Sequence, residues 1–423
     1  MSHPDFARTA RHITPDAVRD TLMAMVDIRS PTGREGALAQ YIVSRLLKAG
    51  LQARLQEVSE NRPNAVGIWP GTGDGVNLLL TGHMDTSYDG DEDYLQGEGF
   101  KAKAIHRDGW IWGLGANNMK SGLASALVAL EAIAREGIRL KGDVLYGGVV
   151  GETEKAAVDE FRGDAVAGYG VGTRHMVLHG ISADCAVLCE PTNLRVCIAN
   201  MGVMWAKITV GGTVSHAANA RHPSVINAIK EMHALQARID QWIGEYEASH
   251  IYLDERPNVT FSAIRGGMPW RLARNPFECS LYLDIRTIPG QTAEEVKRSL
   301  RKALRDFAQA RGRPEPVLEI FVNDPPTAIG ETELITRVTR EAHRRVMGKD
   351  SPFIIRRTGA DSTHLNRYDV TCVTYGPGGR THPDAKALMH AVGEHCHVDN
   401  LLNAAKVYVD IALTVCSRAA GSV

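Results

Sequence analysis

The sequence predicts an α/β fold: a mixed-sheet catalytic domain carrying an inserted α+β domain of ferredoxin-like order. Three observations predict it. Apolar strands alternate with helical segments from Pro15 to Cys189, the order switches after Ala199 to β-α-β-β-α-β, and the alternating pattern resumes at Glu331. With 423 residues the chain also exceeds the size at which one hydrophobic core keeps growing. The expected division is 1–200 and 323–423 for the catalytic domain and 201–322 for the insertion.

Each element follows from its local pattern. Val18, Leu22 and Met25, then Leu38, Tyr41, Ile42 and Leu46, recur at helical spacing, and Ser30-Pro31-Thr32-Gly33 separates the two helices. Strand-like runs cover Gln52–Val58, Asn64–Trp69 and Val76–Thr81, followed by a polar loop from His83 to Phe100. An Ala- and Leu-rich helix runs from Ser121 to Glu136. Two further apolar strands, Asp143–Val150 and Cys185–Cys189, each end in a glutamate, Glu152 and Glu190. In the insertion, strands at Trp205–Val210, Asn258–Ile264, Phe277–Arg286 and Pro316–Phe321 interleave with helices at Ser224–Ile243 and Thr292–Ala310.

Composition narrows the function. Asp plus Glu (49) nearly cancel Lys plus Arg (48), for a formal charge of −1, so neither nucleic acid nor an anionic membrane is an expected partner. Apolar runs such as Val144–Val150 are strand-length, too short to cross a bilayer. The amino terminus lacks the apolar stretch of a secretory signal, which makes the cytoplasm the expected location. Seven cysteines without a CxxC pair argue against a thiolate cluster, so a bound metal must use His and carboxylate ligands.

Four segments carry candidate chemistry. Thr81-Gly82-His83-Met84-Asp85 brings an imidazole and a carboxylate to a strand end. The glycine-rich segment Gly113–Gly122, with Asn118, opens a helix; Gly151-Glu152-Thr153-Glu154 and Cys189-Glu190-Pro191-Thr192 place carboxylates after strands. Taken singly, each has an ordinary explanation as a loop histidine, a helix cap or an exposed glutamate. Together they put one imidazole and at least three carboxylates at the carboxyl ends of strands of one domain, where His/carboxylate metal sites are built.

These segments, with GGTVSHAA at 211–218, DIRTIPG at 284–290 and GPG at 376–378 followed by His390, resemble the co-catalytic zinc metallopeptidase family of acetylornithine deacetylase, succinyl-diaminopimelate desuccinylase, aminoacylase and carboxypeptidase G. The resemblance implies a small-molecule hydrolase of carbon–nitrogen bonds using metal-activated water. It implies that His83 binds metal with Asp85 behind it, that Glu152 is the general base, and that Glu190 and His390 serve two separate metal positions. It further implies that His216 reaches a neighbouring subunit's site, that Arg286 and Asn258 hold substrate, and that the inserted domain is both lid and dimer interface.

Two positions depart from the family pattern. Asn118 stands where a metal-bridging aspartate is usual, and Thr153 where a second glutamate follows the base. An amide bridges two dications poorly and a hydroxyl binds them weakly. The expectation is therefore one labile divalent ion, manganese, zinc or cobalt, with a second weak or absent and Glu154 as the nearest substitute ligand. Fewer cations favour a more activated carbon–nitrogen bond, such as that of a nitro-substituted aminobenzoate undergoing hydrolytic deamination. An N-acyl amino acid deacylase or dipeptidase is the alternative. A catalytically degenerate binding protein is the competing class, and the retained Glu152 argues against it.

Overall fold

A computed structural model describes residues 3–383 and 393–421. Its contacts divide the chain into two compact units, Met1–Ala199 with Ile329–Ile354 and Ala360–Val423, and Asn200–Ala328 with Ile355–Gly359. The smaller unit thus passes the expected boundary at 322 and takes in a short segment from the later part of the chain.

The larger unit is built on a mixed sheet in which Gln52–Ser59, Arg62–Trp69, Val144–Val149, Leu78–His83, Cys185–Leu188, Thr371–Thr374 and Val196–Asn200 lie side by side in that order. Leu78–His83 pairs in parallel with both Val144–Val149 and Cys185–Leu188, and Thr371–Thr374 continues the parallel run. Gln52–Ser59 and Arg62–Trp69 form an antiparallel margin. The three central strands are buried at every position, which is why they read as unbroken apolar runs.

Helices Pro15–Asp27, Gly36–Lys48, Lys120–Arg135, Leu334–Met347 and Val398–Val415 contribute to the main core. The first starts where Thr14 accepts a hydrogen bond from the Ala17 amide with Pro15 behind it, a favourable N-terminus. Lys120–Arg135 is buried along almost its whole circumference, as an Ala/Leu-rich helix without a polar face must be. At Gly122 a Cβ would lie 1.9 Å from the Cys189 carbonyl oxygen, so only glycine lets this helix approach the strand end that carries Glu190. Gly122→Ala is expected to lower stability by about 1–3 kcal/mol, read as a lower denaturation midpoint; an unchanged midpoint would refute the contact.

Between Phe100 and Gly113 the structure adds an element that the apolar pattern does not reveal. Ile105–Arg107 and Trp110–Trp112 form a hairpin, joined by His395–His397. Asp108 and Gly109, both at positive φ (51° and 79°), make its two-residue turn.

In the smaller unit, strands Asn258–Gly266, Glu278–Thr287, Gly202–Gly211 and Val317–Asp324 lie antiparallel in that order. With helices Ala228–Ser249 and Ala293–Arg311 in sequence between them, this is the ferredoxin-like arrangement. Alternate residues of two strands, Met204, Ala206, Ile208 and Val210 with Cys279, Leu281, Leu283 and Ile285, pack with Leu235, Ile239, Trp242, Leu300 and Leu304 of the helices into one core. Asn227 caps the first helix, and Thr292 with Glu295 forms a reciprocal capping box on the second.

Candidate active site

The sheet order decides which side chains meet. His83 ends the middle of three adjacent parallel strands, Glu152 follows the strand on one side and Glu190 the strand on the other. The imidazole is therefore flanked by carboxylates: Nε2 of His83 lies 3.5 Å from Glu152 Oε2 and 3.4 Å from Glu190 Oε1. One donor atom from each of the three residues falls within 4.8 Å of the others.

The ring's orientation comes from its other nitrogen. Nδ1 is 2.8 Å from the backbone carbonyl oxygen of Asp85 and 3.4 Å from its carboxylate. A carbonyl only accepts, so Nδ1 is assigned a proton and Nε2 is the nitrogen that faces the cluster. The expected support of His83 by Asp85 thus runs through the main chain. The carboxylate of Asp85 instead accepts from the amides of Glu152 (3.0 Å) and Thr153 (3.2 Å) and from the Thr32 hydroxyl (2.9 Å).

Electrostatics show a surplus of negative charge. Burial pushes the Glu152 carboxyl well above its usual range against the opposing pull of His83, with Glu190, Asp361 and Asp85 adding repulsion. Burial would likewise raise Asp85, but its contacts with His83 outweigh that and hold it well below the usual range. For His83, burial favours the neutral ring, yet the charge of Glu152 and contacts with Asp85 and Glu190 raise its pKa well above normal. An imidazole nitrogen that is buried without a hydrogen bond among the described residues, set between two carboxylates, is a donor set suited to a divalent cation.

Other candidates fall in different places. Asn118 sits just before helix Lys120–Arg135; its Oδ1 is buried without a hydrogen-bond partner among the described residues. Its loop is held by Glu394, whose carboxylate accepts from the amides of Asn117 (3.1 Å) and Asn118 (2.8 Å). Glu154 is not in the three-donor cluster. His390 lies outside the described residues. His216, Asn258 and Arg286 belong to the smaller unit. His216 is exposed and accepts from the Ala218 amide at 3.1 Å. Asn258 and Arg286 are direct cross-strand partners, and Arg286 also grips Asp284 through two hydrogen bonds of 2.6 and 2.9 Å. Trp110 and Trp112 are buried, whereas Trp270 is exposed.

One carboxylate near the cluster escapes sequence reasoning. Asp361 is buried, accepts from the Thr173 hydroxyl at 2.6 Å, and is pushed up to about 7 by burial, with Glu190 and Asp85 adding to the rise. It precedes the short helix Ser362–Arg367, and the run Ala360-Asp361-Ser362 has no spacing that distinguishes it from an ordinary helix cap.

Several known proteins resemble the chain over nearly its full length. An N-formyl-4-amino-5-aminomethyl-2-methylpyrimidine deformylase of Bacillus subtilis is 23% identical, covering 94% of this chain and 93% of the relative. A Staphylococcus epidermidis protein named "Probable succinyl-diaminopimelate desuccinylase" is also 23% identical, over 92% and 95%. Among solved structures, a Staphylococcus aureus tripeptidase superposes with a TM-score of 0.74 at 18% identity, covering 96% of this chain and 99% of that one. Human carnosine dipeptidase 1 gives 0.74 at 14% identity, over 98% and 100%. The signature of the peptidase family M20/M25/M40 matches residues 79–414, and the chain belongs to that family of metal-dependent hydrolases of carbon–nitrogen bonds.

Proposed function

We propose that this enzyme cleaves the amide bond of a small N-acylated substrate, with a formyl group as the favoured acyl part, using one labile divalent ion held by His83 and Glu190 and Glu152 as general base. The observation that carries the reading is the buried Nε2 of His83 set between the two carboxylates. The deformylase relative, alike over almost all of both chains, supports the choice of acyl group.

An ion in this cluster would acidify a water and polarise the scissile carbonyl. Glu152 takes the proton from the attacking water and returns it to the departing nitrogen, a task suited to a carboxylate whose proton affinity burial has raised. Asp85 fixes both partners: its carbonyl orients His83, and its carboxylate holds the amides of Glu152 and Thr153. Asn118 and Thr153 in place of anionic ligands support a single ion, with Asn118 as a weak neutral ligand and His390 left at the second, weak position. Arg286 and Asn258, adjacent across two strands, would hold the oxyanion, or a carboxylate where the substrate carries one.

Deamination of a nitro-substituted aminobenzoate draws no support from these relatives, and it becomes the competing outcome of one assay. Incubating the enzyme and manganese, zinc or cobalt with the N-formyl aminomethylpyrimidine, N-succinyl and N-acetyl amino acids, dipeptides and nitro-aminobenzoates should release formate or another carboxylate. Ammonia from the aminobenzoate alone would sink the amide reading.

The reading includes a homodimer joined through the smaller unit. Strand Asn258–Gly266 is an edge strand with Phe261 and Ile264 exposed, and the loop after it exposes Trp270 and Leu272, 81% each; such an edge invites a partner. His216 would then serve the neighbouring subunit by stabilising the oxyanion. Mixing inactive His216→Ala and Glu152→Gln subunits should restore part of the activity; no recovery in proven mixed dimers would remove the shared-site role. The reading places the enzyme in the cytoplasm, where the seven buried cysteines stay reduced. Recovery in a secreted fraction would contradict it. Among the described residues no helix is long and apolar enough to cross a membrane.

A further inference from the structure

Behind the strand end that delivers Glu152 lies an ion pair that the chemistry above does not use. Glu35 immediately precedes helix Gly36–Lys48, and Arg62 opens strand Arg62–Trp69. Their side chains are 0% and 1% exposed. Arg62 donates from Nε to Glu35 Oε2 at 3.0 Å and from its terminal nitrogen to Oε1 at 2.8 Å. The same terminal nitrogen donates to the Ala167 carbonyl at 3.2 Å.

Glu35 Oε1 also accepts from two backbone amides, Gly33 at 3.1 Å and Gly151 at 3.2 Å. The next two amides, Glu152 and Thr153, end on the carboxylate of Asp85. Three consecutive N–H groups around the proposed base are thus each received by a buried anion. The fit is close. Gly151 has φ +62°, and a Cβ there would come within 2.5 Å of the Ala167 carbonyl and 2.8 Å of the Arg62 guanidinium.

A buried ion pair is weak evidence of stabilisation, because desolvation offsets much of its attraction and an apolar pair of similar volume often serves as well. An apolar pair could not, however, accept the Gly151 amide. A carboxylate can, and with Arg62 neutralising it, Glu35 does so without adding uncompensated charge to a region that already holds Asp85, Glu152 and Glu190.

We infer that Glu35 and Arg62 are positioning residues for Glu152: together they clamp the Gly151–Thr153 turn and so keep the Glu152 carboxylate facing Nε2 of His83. The inference rests on the reading of Glu152 as general base, where a displacement of about 1 Å can cost about 10²-fold in rate.

Two variants test it in the full-length, metal-loaded protein. Glu35→Gln keeps the side-chain shape but loses the paired anion; Glu35→Leu with Arg62→Met replaces the pair by apolar residues of similar size. Hydrogen exchange at the amides of 151–153 should accelerate about tenfold or more as the local turn opens, while bound manganese stays near wild type and the double variant still unfolds in one cooperative transition. On the N-formyl aminomethylpyrimidine, kcat should fall about tenfold or more with KM unchanged, as expected when only the transition state loses support. Unchanged exchange at 151–153, or kcat within about twofold of wild type in folded protein, overturns the inference. Where the double variant does not fold, Glu35→Gln alone decides between these outcomes. Glu152→Gln separates the two readings: if it retains turnover the base assignment fails, while faster exchange in the Glu35 variants still reports the clamp.

Discussion

Glu152→Gln should lower kcat by about 10³-fold, within the range a positioned general base contributes, and leave the bound ion in place. The amide matches the carboxylate in shape, and the side chain is only 10% exposed, so little repacking is needed. What disappears is the ability to accept a proton. Burial and the nearby anions strengthen the native carboxylate as a base, whereas a neutral amide has no comparable affinity. His83 and Glu190 remain to hold the cation, with Asp85 still orienting His83, so metal content by elemental analysis should stay close to wild type. Turnover preserved in the variant would sink the assignment.

His83→Ala should abolish both activity and the thermal response to metal. In the native enzyme, an ion supplied at about 100 times its dissociation constant adds about 2.7 kcal/mol to stability, visible as a higher denaturation midpoint with manganese, zinc or cobalt. His83 sits between the two glutamates, and its removal leaves the two carboxylates without the imidazole between them. The midpoint of the variant should not move across the same titration. A full metal response without His83 would show that the ion binds elsewhere, and two tightly held ions per native chain would overturn the single-ion reading.

What is legible in the sequence follows from physics that acts at short range. Buried parallel strands such as Val144–Val149 and Cys185–Leu188 must be apolar throughout, and that constraint appears in the sequence directly. The two-residue period of strands and the helical period between them outline the smaller unit. His83, Glu152 and Glu190 are readable because polar residues directly after such strands have few structural reasons to be there, and family resemblance connects them. The Trp110–Trp112 hairpin is not, because three-residue strands are too short to show a period, although Asp108-Gly109 is a turn signal. Glu35, Arg62 and Asp361 are invisible for another reason. Each acts through partners distant in the chain, Gly151 for Glu35, Ala167 for Arg62 and Thr173 for Asp361, and nothing in local spacing announces such a pairing. The use of Asp85's carbonyl to orient His83 is a backbone property that side-chain identity cannot encode.

That His83, Glu152 and Glu190 come from three neighbouring strands, with the middle one earliest in the chain, has a bearing on biogenesis. No contiguous fragment shorter than the span from His83 to Glu190 carries all three donors, and a nascent chain must align three non-local strands before they converge. Ion capture at this site should therefore lag behind the acquisition of helical signal during refolding, because long-range strand pairing is slow compared with helix formation. The cation would then act as a late reporter of sheet completion, arriving at a site that the backbone has already assembled.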